Sequence, residues 1–168
     1  GRLLILAKEA MIELETLEER AVNGIREYLK NKNPYEFQDL VASLLKAMGY
    51  YIQSVAPRGK DGGIDIVAYT DPLGAKTPRI KVQVKHKPDT ATGAADVRAL
   101  LGILKAGDIA LFVTSGTYST DAKHAASSGD KFIRLIDGDE FIEMWQEYYD
   151  KMTDDDKNML PLKRIAFL

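Results

Sequence analysis

The chain has 168 residues, of which 45% are hydrophobic and 29% are charged, and this balance is typical of a single globular domain. It has no cysteine, which excludes disulfides and thiolate metal sites and favours a reducing, cytoplasmic location. No apolar run approaches the roughly eighteen residues of a membrane span, so we expect no membrane partner. The opening residues, GRLLILAKEA, are charged too soon for a signal peptide.

Charge is distributed unevenly along the chain, although the net charge is only −2. Residues 76–87 contain five Lys or Arg and no acid, whereas residues 137–156 contain nine acids and one Lys. Such segregation can create one surface that attracts nucleic acid in a nearly neutral protein. A solvated strand and a solvated helix account for the same pattern equally well.

The first predicted element is an acidic amphipathic helix from about Ala7 to Lys30, with apolar residues at helical spacing: Leu14, Leu17, Ala21, Ile25 and Tyr28. We expect this helix, within residues 1–31, to dock on the core. Because the chain has no initiator Met, we also expect a preceding domain. The helix would then be the end of the linker from that domain.

A second helix is predicted to follow the NKNP break. Asn33 is a typical N-cap, Pro34 suits the first helical position, and Glu36 completes a capping box. Apolar positions then recur at helical spacing until Gly49 ends the helix: Phe37, Leu40, Val41, Leu44, Leu45 and Met48. The pattern predicts a helix with one buried face.

Strands and helices alternate through the rest of the chain. Three short apolar runs between Gly, Pro and Asp turn residues predict an antiparallel meander: 51–55, 64–70 and 79–86. Four elements of alternating type follow them: a helix at 94–106, a strand at 109–113, a helix at 119–127 and a strand at 132–136. A helix at 139–149 closes the domain, so residues 32–149 are predicted to form an α/β sandwich with a mixed sheet. Residues 150–168 are expected to be an acidic, partly ordered extension.

The strand RIKVQVKH carries the first chemical signal. Its strict alternation puts Gln83 and Lys85 on one face, roughly 6–7 Å apart. Asp65 lies in the neighbouring predicted strand, where a half-buried carboxylate is costly unless it is paired or bound to a cation. A suitable register would bring Asp65 across from Gln83 and Lys85.

This cluster has the groups that phosphodiester hydrolysis needs. Mg²⁺, or Mn²⁺ in its place, prefers oxygen ligands, which Asp65, Gln83 and the Val84 backbone carbonyl could supply. The metal activates a bound water, and Lys85 could orient that water or stabilise charge on the phosphate. Two structural alternatives stay open: Asp65 as a residue that accepts backbone hydrogen bonds at the end of a turn, and Gln83 with Lys85 as a solvated strand face.

The string Asp61-Gly-Gly-Ile-Asp65, followed by Gln83-Val-Lys85, resembles the catalytic core of the Mrr-type restriction endonucleases. These belong to the PD-(D/E)xK nuclease superfamily, in the branch where Gln replaces the second acid. The resemblance covers about residues 34–148, through the segments NPYEFQDLVASLLKAMGY, LFVTSGTYSTDAKHAA and IRLIDGDEFIEMW. It implies a restriction-endonuclease-like α/β/α sandwich with core order α-β-β-β-α-β. It also implies Mg²⁺-dependent DNA cleavage by Asp65, Gln83 and Lys85, and a separate DNA-recognition domain.

Gln38 departs from the family pattern, because many members have Glu directly after the helix Phe. If that acid helps to hold a metal, its loss leaves Asp65 as the one certain carboxylate, with Asp61 as a candidate to compensate. Phosphate contacts near the site are predicted for four cations: Arg58, Lys60, Lys81 and Lys87.

We expect a homodimer, since cutting both strands usually needs two active sites. Two alternative functions stay open. One is a catalytically inactive DNA-binding or assembly module that keeps the nuclease fold. The other is a structure-selective nuclease that acts on branched DNA.

Overall fold

The computed structural model describes residues 1–56, 63–164 and 166. Its helices are α1 (Arg2–Lys30), α2 (Pro34–Ala47), α3 (Ala94–Gly102), α4 (Thr120–Ser128), α5 (Gly138–Tyr148) and α6 (Asp154–Met159), with a 3₁₀ turn at Tyr149–Lys151. Its strands are β1 (Tyr51–Val55), β2 (Ile66–Tyr69), β3 (Arg79–Lys85), β4 (Ala91–Thr92), β5 (Asp108–Thr114), β6 (Thr117–Tyr118) and β7 (Ile133–Ile136). None of the helices in these described ranges is long and apolar enough to cross a membrane.

A five-stranded mixed sheet lies at the centre, in the order β1-β2-β3-β5-β7. The first three strands form the predicted antiparallel meander, and β5 and β7 continue the sheet in parallel with β3. The α/β fold with a central mixed sheet is therefore confirmed. The strands β4 and β6 form a separate two-stranded parallel sheet, which the sequence pattern did not predict.

Helices cover both faces of the sheet and divide the core in two. The first core is built by the end of α1 with α2 and α5, and includes Phe37, Leu40, Ile66, Val82, Phe141 and Trp145. The second is built by α3 and α4, and includes Val97, Leu100, Phe112, Tyr118 and Ala122. Since partners across a ladder point to the same face, the pairing of Gln83 with Phe112 and of Lys85 with Thr114 puts both polar side chains on the α3 side.

The start of α2 is fixed by the predicted capping box. The Asn33 side-chain oxygen accepts from the Glu36 N–H at 2.8 Å, and the Glu36 carboxylate accepts from the Asn33 N–H at 3.0 Å. Its end is marked by Gly49 at φ 99°, a conformation that suits glycine. Glu36 is thus a cap, as its spacing indicates.

Only the last turns of α1 dock on the core. The expectation that the whole apolar face of the helix packs there is therefore wrong. Ile25 and Leu29 are buried, but Leu14 and Leu17 are each 38% exposed and Tyr28 is 42% exposed. The reason is that α1 packs chiefly against α5, which covers only the end of the helix. Two ion pairs hold this end: Arg26 with Asp139 at 2.6 Å, and Lys30 with Asp89 at 2.9 Å.

The first part of the acidic segment, from Met152 to Leu160, packs on the domain instead of extending from it. Thr153 caps α6, whose three acids lie in its first turn, where the helix dipole favours negative charge. Met152 and Leu160 are buried, and the Trp145 Nε1–H donates to the Leu160 carbonyl at 3.0 Å. The sequence predicted an extension because the segment is mostly acidic and only a few apolar residues among the acids make the packing contacts.

Candidate active site

Asp65 lies immediately before β2, and not within the strand as the apolar pattern predicts. Three hydrogen bonds described for it lead to the strands on either side. Its N–H donates to the Val82 carbonyl at 2.8 Å, and its carbonyl accepts from the Ala56 N–H at 2.6 Å. Its Oδ2 accepts from the Val84 N–H at 2.7 Å. The carboxylate is therefore partly satisfied by backbone, as one of the two open interpretations of Asp65 predicts.

The same bond brings Asp65 to the polar end of β3. Val84 stands between Gln83 and Lys85, and its N–H is the group that the Asp65 carboxylate contacts. The ladder pairs Ile66 with Val82, so its continuation would place Asp65 opposite Gln83. The carboxylate of Asp65 thus lies against the β3 backbone at Val84, the residue between Gln83 and Lys85.

The Val84 carbonyl also faces this place. In a strand, the N–H and C=O of one residue point to the same side, so the Val84 carbonyl lies on the side of Asp65. The described β2 ladder ends at Val82, two residues before Val84. The Lys85 carbonyl points the other way, where it accepts from the Ser115 N–H at 3.0 Å.

These oxygen donors fit a hard divalent cation. The described residues contain no group of three His, Cys, Asp or Glu that could hold a metal, so a cation here would rely on one carboxylate and neutral oxygens. Mg²⁺ commonly uses one or two carboxylates and keeps several waters. Asp65, the Gln83 amide and the Val84 carbonyl supply such a set.

Lys85 has a partner that the sequence did not reveal. Its Nζ lies 2.8 Å from Oδ2 of Asp96, in the first turn of α3. A signal was available, because α3 is the next predicted helix after β3 and Asp96 is the acid in its first turn. The spacing does not show that this turn returns to the end of β3.

Gln38 binds backbone next to Asp65. It is only 8% exposed, and its Nε2 donates to the Ala56 carbonyl at 2.9 Å. The N–H of Ala56 in turn donates to the Asp65 carbonyl. Gln38 therefore supports the chain that precedes the candidate site, as an amide donor to the end of β1.

The predicted phosphate contacts are described only in part. Arg58, Lys60 and the auxiliary Asp61 lie outside the described residues. Lys81 is half-buried on β3, on the same face as Gln83 and two positions before it. Lys87 is exposed just beyond the end of β3.

His86, on the opposite face, is half-buried and packs against the first core. Its ring stacks on Phe37 with centroids 5.1 Å apart. Nε2 lies 2.6 Å from the Lys32 carbonyl, which can only accept, so Nε2 carries the proton and Nδ1 accepts from the Ser115 hydroxyl at 2.8 Å. Burial lowers the pKa of His86, and outweighs the opposing effects of the Lys32 carbonyl and of Glu36.

Comparisons with known proteins identify the family and the fold of the chain. Residues 29–145 match the family model Mrr_cat, described as restriction endonuclease. No curated protein matches the chain. Among solved structures, it is similar to the MspJI restriction endonuclease in complex with a 27-mer oligonucleotide (TM-score 0.61, 18% identity, 82% of this chain and 32% of that chain).

Two other solved structures are similar. One is the DNA modification-dependent restriction endonuclease AspBHI (TM-score 0.66, 14% identity, 84% of this chain and 39% of that chain). The other is AF1548, a protein of unknown function (TM-score 0.53, 22% identity, 70% of this chain and 67% of that chain). The chain thus spans between 32% and 39% of the length of the two enzymes. These likenesses confirm the restriction-endonuclease fold, and the family model shows that the chain belongs to the Mrr_cat family of restriction endonucleases.

Proposed function

We propose that this chain is the DNA-cleaving domain of a restriction-type enzyme, and that it hydrolyses phosphodiester bonds with Mg²⁺ or Mn²⁺. The observation that supports the proposal is the hydrogen bond between the Asp65 carboxylate and the N–H of Val84, the residue between Gln83 and Lys85. Family membership supports a DNA endonuclease. The cation and the residue roles are inferred from the donor groups.

Each group has a chemical task in this proposal. Asp65, the Gln83 amide oxygen and the Val84 carbonyl would hold the cation. When bound, the cation supplies an activated water and neutralises charge on the phosphate. Lys85 donates hydrogen bonds to that water or to a phosphate oxygen, where a fixed positive charge stabilises the transition state.

The DNA backbone would lie along the same end of β3. Lys81 lies on β3 before Gln83, Lys87 follows the end of β3, and Arg58 and Lys60 precede Asp65 in the chain. Lys and Arg position nucleic acid through phosphates, without reading bases. We propose that sequence or modified-base specificity comes from a separate domain, and that two copies act together on both strands; the greater length of MspJI and AspBHI is consistent with further domains.

One observation favours an inactive module as the second candidate. The Gln38 amide donates to the Ala56 carbonyl and carries no negative charge. Among the described residues, the carboxylate that bonds to the β3 backbone at the site is that of Asp65. A protein that keeps the fold and binds DNA without cutting it would have this arrangement as well.

Cleavage assays separate these functions. We expect the wild-type protein to cut plasmid with Mg²⁺ or Mn²⁺ and to stop when EDTA is added. Asp65→Ala and Lys85→Ala should abolish cutting. Asp130→Asn and Lys8→Ala are matched controls, because both residues are exposed and lie outside the cluster.

The other outcomes are equally clear. Cutting that survives both site variants would refute the proposal, and DNA binding without any cutting would support the inactive module. Preferential cleavage of a branched substrate over a linear or methylated duplex would identify a structure-selective nuclease.

A further inference from the structure

The ion pair between Lys85 and Asp96 joins the candidate site to helix α3. The Lys85 Nζ and Asp96 Oδ2 are 2.8 Å apart, with side-chain exposures of 22% and 43%. Asp96 lies in the first turn of α3, where unpaired N–H groups stabilise a negative side chain. Because Asp96 also lies beside a proposed catalytic lysine, it can affect that lysine as well as stabilise the helix end.

We propose that Asp96 is a positioning residue for Lys85, and that it holds the ammonium group at the site before DNA arrives. This inference rests on the proposed function. A lysine side chain is flexible and has several rotatable bonds, so β3 fixes the Cα of Lys85 but not its ammonium group. The Asp96 carboxylate, paired with the end of the side chain, holds the Lys85 Nζ in place as well.

The support of Asp96 is rigid. The next residue, Val97, is completely buried in the second core, and Leu100 is 1% exposed one turn later. The carboxylate therefore starts from a part of α3 that packing holds in place. A misplacement of about 1 Å at a catalytic group can reduce a rate by roughly 100-fold, so such support matters for catalysis.

The small sheet of β4 and β6 gives the entrance of α3 a second support. Thr92 pairs with Tyr118, and the Ser119 N–H donates to the Thr92 carbonyl at 3.0 Å, directly before α3 begins. Tyr118 is anchored in turn, because its hydroxyl donates to the Phe112 carbonyl at 2.7 Å. This otherwise unexplained pair of strands thus holds the helix end that carries Asp96.

A surface ion pair with no role in catalysis is the competing explanation, since exposed pairs contribute little to stability. The test compares Asp96→Asn, Lys85→Met and the double variant with wild type. Asp121→Asn is the matched control, because Asp121 also lies in the first turn of an α-helix and is exposed. The measurements are kcat and KM on a short duplex with Mg²⁺, DNA affinity in EDTA, and Tm.

We expect Asp96→Asn to lower kcat by about 10- to 100-fold, with KM, DNA affinity and Tm close to wild type. In the Lys85→Met background, which lacks the ammonium group, Asp96→Asn should have no further effect on DNA affinity or Tm. Asp96→Glu should recover part of kcat, since it restores the charge.

Three results would overturn the inference. Wild-type kcat in Asp96→Asn would remove the positioning role and leave the proposed function intact. A fall in Tm with equal losses in both backgrounds would show a structural role. A wild-type protein that cuts no duplex would instead refute the proposed function, and this inference with it.

Discussion

A 2.7 Å hydrogen bond joins the Asp65 carboxylate to the Val84 main-chain N–H. Asp65 lies just before β2, and Val84 lies in β3 beyond the end of its ladder with β2. One carboxylate oxygen thereby takes the place of a strand partner. Since every residue except proline has a backbone N–H, the position of Asp65 depends on the path of β3 and is insensitive to most neighbouring side chains. Replacements at Asp65 can therefore separate its charge from its hydrogen bond.

Asp65→Asn keeps an oxygen that can accept from Val84 but removes the negative charge. We expect it to abolish Mg²⁺ binding in calorimetry and cleavage, with Tm near that of wild type. Asp65→Ala removes the acceptor too, and should lower the free energy of unfolding by about 1–3 kcal/mol. Mg²⁺ affinity that is unchanged in Asp65→Asn would exclude this residue as a ligand.

Gln38→Glu tests whether the amide is a lost metal ligand or a structural donor. In the structure its Nε2 donates to the Ala56 carbonyl, so a carboxylate would place two acceptors together. We expect the variant to be less stable by about 1–3 kcal/mol in denaturant unfolding, with no gain in Mg²⁺ affinity. Gln38→Met is the control, because it has similar volume and lacks only the polar group. Tighter Mg²⁺ binding in Gln38→Glu would mean that position 38 reaches the metal.

His86 predicts how stability depends on pH. Burial lowers its pKa below the ordinary value of 6.5, so the unfolded chain binds a proton that the folded chain does not. Its contribution should be complete above about pH 6.5 and be lost as the pH falls below that value. Unfolding free energies measured from pH 5 to 8 should lose this component in His86→Gln, whereas His124→Gln, at an exposed position, should keep it. An unaltered profile in His86→Gln would contradict the assignment.

Leu160→Ala tests the packing of the segment after α5. Leu160 is 2% exposed and its carbonyl accepts from Trp145, so a cavity should form beside the indole. We expect a loss of about 2–5 kcal/mol in unfolding free energy and a shift in tryptophan fluorescence. Leu73→Ala makes the same chemical change at a residue that is 88% exposed, and should be nearly neutral. Equal effects of the two would show that the segment contributes little.

Local patterns predicted what local physics determines. The capping box at Asn33 and the alternation along β3 depend on residues within a few positions of one another, and both are present as predicted. Asp65 accepts a hydrogen bond from Val84, the residue after Gln83, but it lies before β2 and not within the strand as predicted. Where β2 begins depends on competition between the strand ladder and the hydrogen bond to Val84. The spacing of apolar residues does not show this competition.

The missed features all depend on distant parts of the chain. Asp96 pairs with Lys85 because α3 starts beside the end of β3, and Leu160 is buried in the first core, where its carbonyl accepts from Trp145. Leu14 and Leu17 have the spacing of core residues, yet no element of the described chain extends far enough to cover them. Helical spacing shows that residues share a face, but it does not show what that face meets.

The alternation along β3 has a consequence for changes of length. Even-numbered residues of the strand fill the first core, and odd-numbered ones supply the polar groups of the site. One residue inserted between Arg79 and Gln83 would exchange these faces, driving an ammonium group into hydrocarbon and a valine into the cluster. Natural or engineered variation in the separation of Asp65 and Gln83 should therefore be confined to the turn at 70–78, where an added residue leaves both strands in phase.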